Sequence, residues 1–153
     1  MRKDCGLDLF WDFVFDDITR AKPPDTGGVY VIQVRKPGIP PDEIMKNLES
    51  HPGHLAGGKG KENLLKQTGR IQNIGDCPIL YIGSAAGKKT LSGMHRELNR
   101  RHTARFPIRA LLSSGWELDF GWKATENPGE AEAELKERYL NRGRRSPPAL
   151  GAR

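Results

Sequence analysis

Two short β-rich runs, Gly28-Val29-Tyr30-Val31-Ile32 and Leu80-Tyr81-Ile82-Gly83-Ser84, each carry one tyrosine and are each tied to a glycine. Val, Ile and Tyr suit a pleated surface, and a Gly or Ser after such a run marks where strand gives way to loop. The first strand is expected from Gly28 to Val34, the second from Ile79 to Gly83. A strand tyrosine taken singly reads as core packing with its hydroxyl satisfied. The pair becomes more informative because a basic helix and then an acidic helix follow it.

Forty-seven residues separate Ile32 from Leu80. Pro40-Pro41-Asp42-Glu43 is a helix start, and Ile44, Met45 and Leu48 mark one or two turns after it. His51 to Lys61 is rich in Gly and charge and reads as an exposed loop; His51 and His54 sit in it as solvated side chains. Glu62 to Thr68 has the makings of another short helix. The whole reads as an insertion, about 36–78, in the hairpin joining the two tyrosine strands.

Thr90 is a candidate N-cap, with Leu91, Met94 and Leu98 on one face of the helix that follows. Phe106, Ile108, Leu111 and Leu112 suggest a second helix or turn. Trp116, Leu118, Phe120 and Trp122 alternate with other residues, as in a strand with one buried face. Glu130 to Asn141 is a strong helix former with its acids toward the N-terminal end, where the macrodipole favours them. Residues 7–18 are aromatic and half alternating, which fits either a short strand or an amphipathic turn. The expected organisation is an N-terminal extension (1–26) packing on a domain (27–142), followed by a flexible basic tail (143–153).

A chain of 153 residues is long enough for one domain with a real core. No run approaches the roughly 20 apolar residues of a membrane span. No signal-peptide core precedes Asp8, so the expectation is an intracellular, cytoplasmic protein without a membrane partner. Cys5 and Cys77 are too few for a disulfide framework. The net charge of +6 permits nucleic-acid binding, and its distribution is more telling. Arg96, Arg100, Arg101, Arg105 and Arg109 face one acid, Glu97, between His95 and Arg109. Four more arginines and no acid follow from Arg142 to the end.

The order strand, insertion, strand, basic helix, strand, acidic helix, with the markers Gly28-Val29-Tyr30 and Tyr81-Ile82-Gly83, resembles the GIY-YIG endonuclease family from about Gly28 to Asn141. The resemblance implies an α/β (α+β) fold with a small three-stranded antiparallel sheet flanked by helices. It implies hydrolysis of a phosphodiester at one divalent metal, Mg²⁺ or Mn²⁺. Both tyrosines, a helix arginine and a later glutamate would form the site.

These residue types suit that reaction. It needs a nucleophilic water, charge stabilisation on the phosphate and help for the leaving oxygen. A tyrosine with an ordinary pKa near 10 needs a cationic neighbour or a metal to act as a base at neutral pH. Tyr30 is the candidate for orienting or deprotonating the water, with Tyr81 supporting it near the phosphate. Gly28 and Gly83 are the structural glycines, Gly83 allowing close backbone approach. Glu132, in Glu132-Ala133-Glu134-Leu135, matches the family's Glu-x-x-Leu and would be the metal ligand, with Glu134 as runner-up. Histidine as a residue type changes charge near neutral pH, which makes His102, like His95, a candidate second base or phosphate contact.

The arginine departs from the family's Leu-x-x-Arg, because Leu91-Ser92-Gly93-Met94 puts Met94 at that place. Arg96 is the candidate catalytic arginine, yet it lies about 200° around the helix from Met94. Arg100 or Arg101 taking the role, or no arginine at all, are the alternatives. Arg100, Arg101 and Arg105 would contact DNA, double-stranded by expectation, with the chain acting alone or as a homodimer. Three readings stand: a metal-dependent DNA endonuclease, restriction-like or repair-like; a catalytically disabled nucleic-acid-binding module, favoured by Met94; and a small basic protein-interaction domain.

Overall fold

Strand β2 (Gly28–Lys36) is the hub of the fold, and its first five residues are buried on both faces. The structure, a computed structural model, describes residues 5–50, 65–98, 100, 104–142 and 147–151. β3 (Ile79–Ala85) and β4 (Glu117–Ala124) flank β2, both antiparallel to it. Tyr30 stands opposite Gly83 on β3 and Trp122 on β4. The run Val-Tyr-Val-Ile earns the central place because each of its side chains meets an apolar layer.

The expected three-stranded sheet is corrected to four strands in the order β1-β4-β2-β3. β1 (Val14–Asp17) adds along β4, antiparallel, with Phe15 opposite Gly121. The physical reason is the missing side chain at Gly121: a Cβ there would fall 2.3 Å from the Phe15 ring. The aromatic stretch at 7–18 therefore holds both of the structures that fitted it, since Leu7–Phe10 is a 3-10 turn ahead of β1.

Helices cover both faces. On one lie α1 (Pro41–Ser50), α2 (Leu91–Glu97) and α3 (Arg105–Ser113). Ile44, Leu91, Ile108 and Leu111 bury there against Tyr30, Ile32, Leu118 and Phe120. The alternation read for the last strand is seen: Trp116, Leu118 and Phe120 are buried on this face and Trp122 packs against it. α4 (Pro128–Asn141) covers the other face, where Tyr139 meets Phe10, Val31, Ile79 and Ile82. Thr90 caps α2 by accepting the Gly93 N–H at 3.1 Å, as its position suggested.

The segment between β2 and β3 contributes α1, residues 65–68 in helical form and a 3-10 turn, Gly69–Asn73. Ile71 of that turn is fully buried. The loop expected over His51 to Lys61 lies outside the described residues.

One reading of the chain ends is corrected. Residues 147–151, expected as part of a flexible tail, return to the sheet: the Leu150 N–H donates to the Leu80 carbonyl at 2.9 Å and Leu150 is fully buried. A single apolar residue among prolines and arginines gave no periodic signal for that docking. Cys5 and Cys77, too few for a framework, form one disulfide joining the start of the chain to the approach to β3. No helix among the described residues is long and apolar enough to cross a membrane.

Candidate active site

Tyr30 sits mid-strand on β2 with its ring stacked between Tyr81 at 5.9 Å and Phe120 at 5.3 Å. It is 1% exposed, whereas Tyr81, on the edge strand β3, is half-buried. The Tyr30 and Tyr81 hydroxyls share a hydrogen bond. Two tyrosines distant in sequence thus become one coupled pair.

Gly83 makes the pair possible. A Cβ there would fall 2.5 Å from Tyr30 Cζ, 2.6 Å from its Oη and 2.8 Å from the Tyr81 ring, closer than any of these groups tolerates. Gly28 has a packing role at the other end of β2. A side chain there would meet the Lys123 carbonyl at 2.4 Å and Leu91 of α2 at 2.7 Å, so Gly28 sets how closely that helix approaches the sheet.

The environments of the two hydroxyls differ. Burial pushes Tyr30 far above the ordinary tyrosine pKa, and Tyr81, the hydrogen bond to it and the charge of Glu132 add to the effect. Ionised Tyr30 is thereby strongly disfavoured. Burial also raises Tyr81, but the Lys136 cation, the hydrogen bond with Tyr30 and the Arg70 cation act in the opposite direction. Tyr81 is the more accessible member and the one with cationic neighbours.

Glu132 stands in the second turn of α4 with its side chain 25% exposed, ion-paired to Lys136 one turn on at 2.8 Å. Its charge acts on both tyrosines. Glu134 points elsewhere: its side chain is 60% exposed and pairs with Arg138 at 2.6 Å. The helix therefore distinguishes two carboxylates that the sequence left open. No group of three His, Cys, Asp or Glu among the described residues is arranged to hold a metal. Magnesium binds through one or two carboxylates and keeps several waters, and the half-buried Glu132 fits that demand.

The expected arginine is not with the tyrosines. Arg96 lies beside Asp25, whose carboxyl is held below its usual range by hydrogen bonds from Ser92 and Thr90 and then by the Arg96 charge. Met94 packs against the apolar cluster that contains Tyr30. His95 is a framework residue: its Nε2–H donates to the Ile18 carbonyl at 2.7 Å and its ring stands edge-on to Phe120 at 5.1 Å. Arg105 turns inward over the Phe106 ring at 4.4 Å and donates to the Arg100 carbonyl. Arg100 is exposed, while Arg101 and His102 lie outside the described residues.

Two cations near the tyrosines were missed. Lys136 follows Glu132 by four residues on a helix, a spacing that puts both on one face and was available in the sequence. Arg70 comes from the 3-10 turn inside the insertion, where no periodicity pointed to it. Beside Tyr81, a cavity of about 130 Å³ opens between Lys136, Tyr139 and the prolines Pro147 and Pro148. No family model, no curated protein and no solved structure matches the chain.

Proposed function

We propose that this chain is a metal-dependent DNA endonuclease of the GIY-YIG type, hydrolysing phosphodiester bonds. The observation that carries the reading is the coupled pair Tyr30–Tyr81, stacked at 5.9 Å over Gly83, with the Glu132 carboxylate within electrostatic reach of both hydroxyls. The placement of the first tyrosine strand between the second and the later Trp-Phe strand supports it.

In this reading the tyrosines divide the work by environment. Tyr30 is too buried to ionise, so it orients Tyr81 through their shared hydrogen bond. Tyr81, half-buried and flanked by cations, is the hydroxyl that hydrogen-bonds the attacking water or a phosphate oxygen. This reverses the roles expected from the sequence, where Tyr30 was the base. Glu132 holds Mg²⁺ or Mn²⁺, which when bound supplies neutralising charge to the phosphate. Duplex DNA is the substrate, met by the exposed Arg100, with attraction that falls as salt rises. Work in the cytoplasm, alone or as a homodimer, completes the proposal.

Incubating supercoiled plasmid with Mg²⁺ or Mn²⁺ tests it. Metal-dependent nicking is the expected result, and Glu132→Ala should cut at least about 100-fold more slowly. Intact plasmid under all metal conditions sinks the nuclease reading.

A second reading rests on Met94. An apolar side chain packs into the core where the family's arginine would stand, which favours a catalytically disabled DNA-binding module. Its test is the Met94→Arg variant: activity gained there, in a chain silent as it stands, would select this reading.

A further inference from the structure

The unanswered chemical demand at this site is a cation for the phosphate, since the charge of Arg96 is felt at Asp25 and not at the tyrosines. Arg70 offers one. Its Nη1 is buried and has no hydrogen-bond partner among the described residues. A buried, unpaired donor on a charged group costs free energy that native structures rarely leave uncompensated. A ligand that accepts from it would remove that cost.

The position of Arg70 tells which ligand. Its neighbour Ile71 is fully buried in the same apolar cluster as Tyr30 and Leu80, and Tyr81 packs against that cluster. The turn is tied to β3 through the C-terminal segment: Asn73 Nδ2 donates to the Ala149 carbonyl at 3.5 Å, and the Leu150 N–H donates to the Leu80 carbonyl. The Arg70 charge is felt at the Tyr81 hydroxyl. Lys136 also acts on Tyr81, and in this structure it is ion-paired to Glu132 at 2.8 Å. Arg70 is thus the cation near the tyrosines with no carboxylate on it among the described residues.

We propose that Arg70, from the insertion between the tyrosine strands, is the phosphate-binding arginine of this site, taking the place that Met94 vacates on helix α2. Its ligand class is a phosphate oxyanion, which a guanidinium grips through parallel N–H donors. The proposal rests on the nuclease reading, although the anion site itself can stand without it. It also gives the insertion a part in the reaction.

Gln67 supplies the competing arrangement. Its Oε1 is buried and unpaired three residues earlier, so the two side chains could satisfy each other and leave nothing for a ligand.

The experiment measures two things on the full chain: plasmid cleavage with Mg²⁺ or Mn²⁺, and binding of inorganic phosphate by calorimetry without metal. Arg70→Gln and Arg70→Lys are compared with the wild type, with Arg138→Gln on the outer face of α4 as control. The expected result is a kcat lowered about 100-fold in Arg70→Gln at unchanged melting temperature, partly restored in Arg70→Lys. Phosphate affinity should fall at least about tenfold in Arg70→Gln and stay level in the control. Cleavage by Arg70→Gln within about threefold of the wild type overturns the proposal. So does a loss of activity that only follows a lowered melting temperature while phosphate affinity is unchanged, the signature of pairing with Gln67. Should Arg70→Gln not fold, Arg70→Lys decides: charge kept but fork lost must still lower kcat at least about tenfold. If the wild type cuts no plasmid, the nuclease reading fails and the phosphate arm alone decides the anion site. Binding lost in the Arg70 variants upholds it, and equal binding overturns it.

Discussion

At the scale of single residues, the site depends on one missing side chain. Gly83 lets two tyrosine rings and a hydroxyl gather over the β3 backbone. Gly83→Ala puts a methyl 2.6 Å from Tyr30 Oη, and the Phe120 ring stacked on Tyr30 at 5.3 Å limits its retreat. Overpacking of this kind costs about 1–3 kcal/mol, and misplacement near 1 Å is enough to lower catalysis about 100-fold. We therefore expect Gly83→Ala to fold, with a urea midpoint lowered accordingly and plasmid cleavage reduced far more than stability. Equal rates in the two proteins would show that the tyrosine pair does not take part. The two tyrosines and this glycine were legible in the sequence because strand residues and a strand-ending glycine leave a local pattern. Glu132 was also named, though only the helix showed that Glu134 pairs outward with Arg138. Arg70 was not legible, because nothing in its own turn marks it.

Among elements, the sheet's outer strand is held by charge. The Arg35 guanidinium on β2 reaches Asp17 on β1 at 2.7 Å and also pairs with Asp119 on β4, fastening three strands. Thr19 and Arg35 hold the Asp17 carboxyl at a pKa of about 2, below its ordinary 3.8. A carboxyl whose pKa is lowered on folding stabilises the fold above its unfolded value and loses that contribution as pH falls. Asp17 should thus contribute fully above about pH 4 and progressively less toward pH 2. Asp17→Asn is expected to lower stability at pH 7 by about 1 kcal/mol at most, because the cluster is partly solvated. It should also flatten the acid limb between pH 4 and 2, read from urea midpoints across that range. An unchanged limb would assign the acid sensitivity to other carboxyls. β1 itself was ambiguous in the sequence for a related reason. Its residues alternate between exposed and half-buried, so no fully buried face announced a strand. The β2, β3 and β4 strands, with buried faces, were read within a few residues of their bounds.

Over the whole molecule, Cys5 and Leu150, near the two ends of the described chain, are fastened beside and on β3. Leu150 is fully buried and its backbone pairs with Leu80, so Leu150→Ala should cost about 2–4 kcal/mol, as deletion from a filled core does. A truly loose tail would show no shift in the denaturation midpoint. The Cys5–Cys77 bridge fastens the other end across a sequence separation of 72 residues. Such long-range closure was invisible in the sequence, because two cysteines carry no spacing pattern and their pairing follows only from the sheet. Closing a loop of this length typically stabilises by about 2–4 kcal/mol, chiefly by restricting the unfolded chain. Reduced protein, or Cys5→Ser, should therefore be less stable by that amount, read as a lowered urea midpoint, while its cleavage activity at low temperature is retained, since neither cysteine is among the contacts of Tyr30, Tyr81 or Glu132 given above. The comparison also bears on where the protein works. Disulfides persist in oxidising compartments and are rare in the cytosol. If the reduced form stays folded at physiological temperature, a cytoplasmic nuclease is workable without the bridge. A reduced form that unfolds there would require an oxidising setting, and the expectation of a cytoplasmic protein would have to be given up.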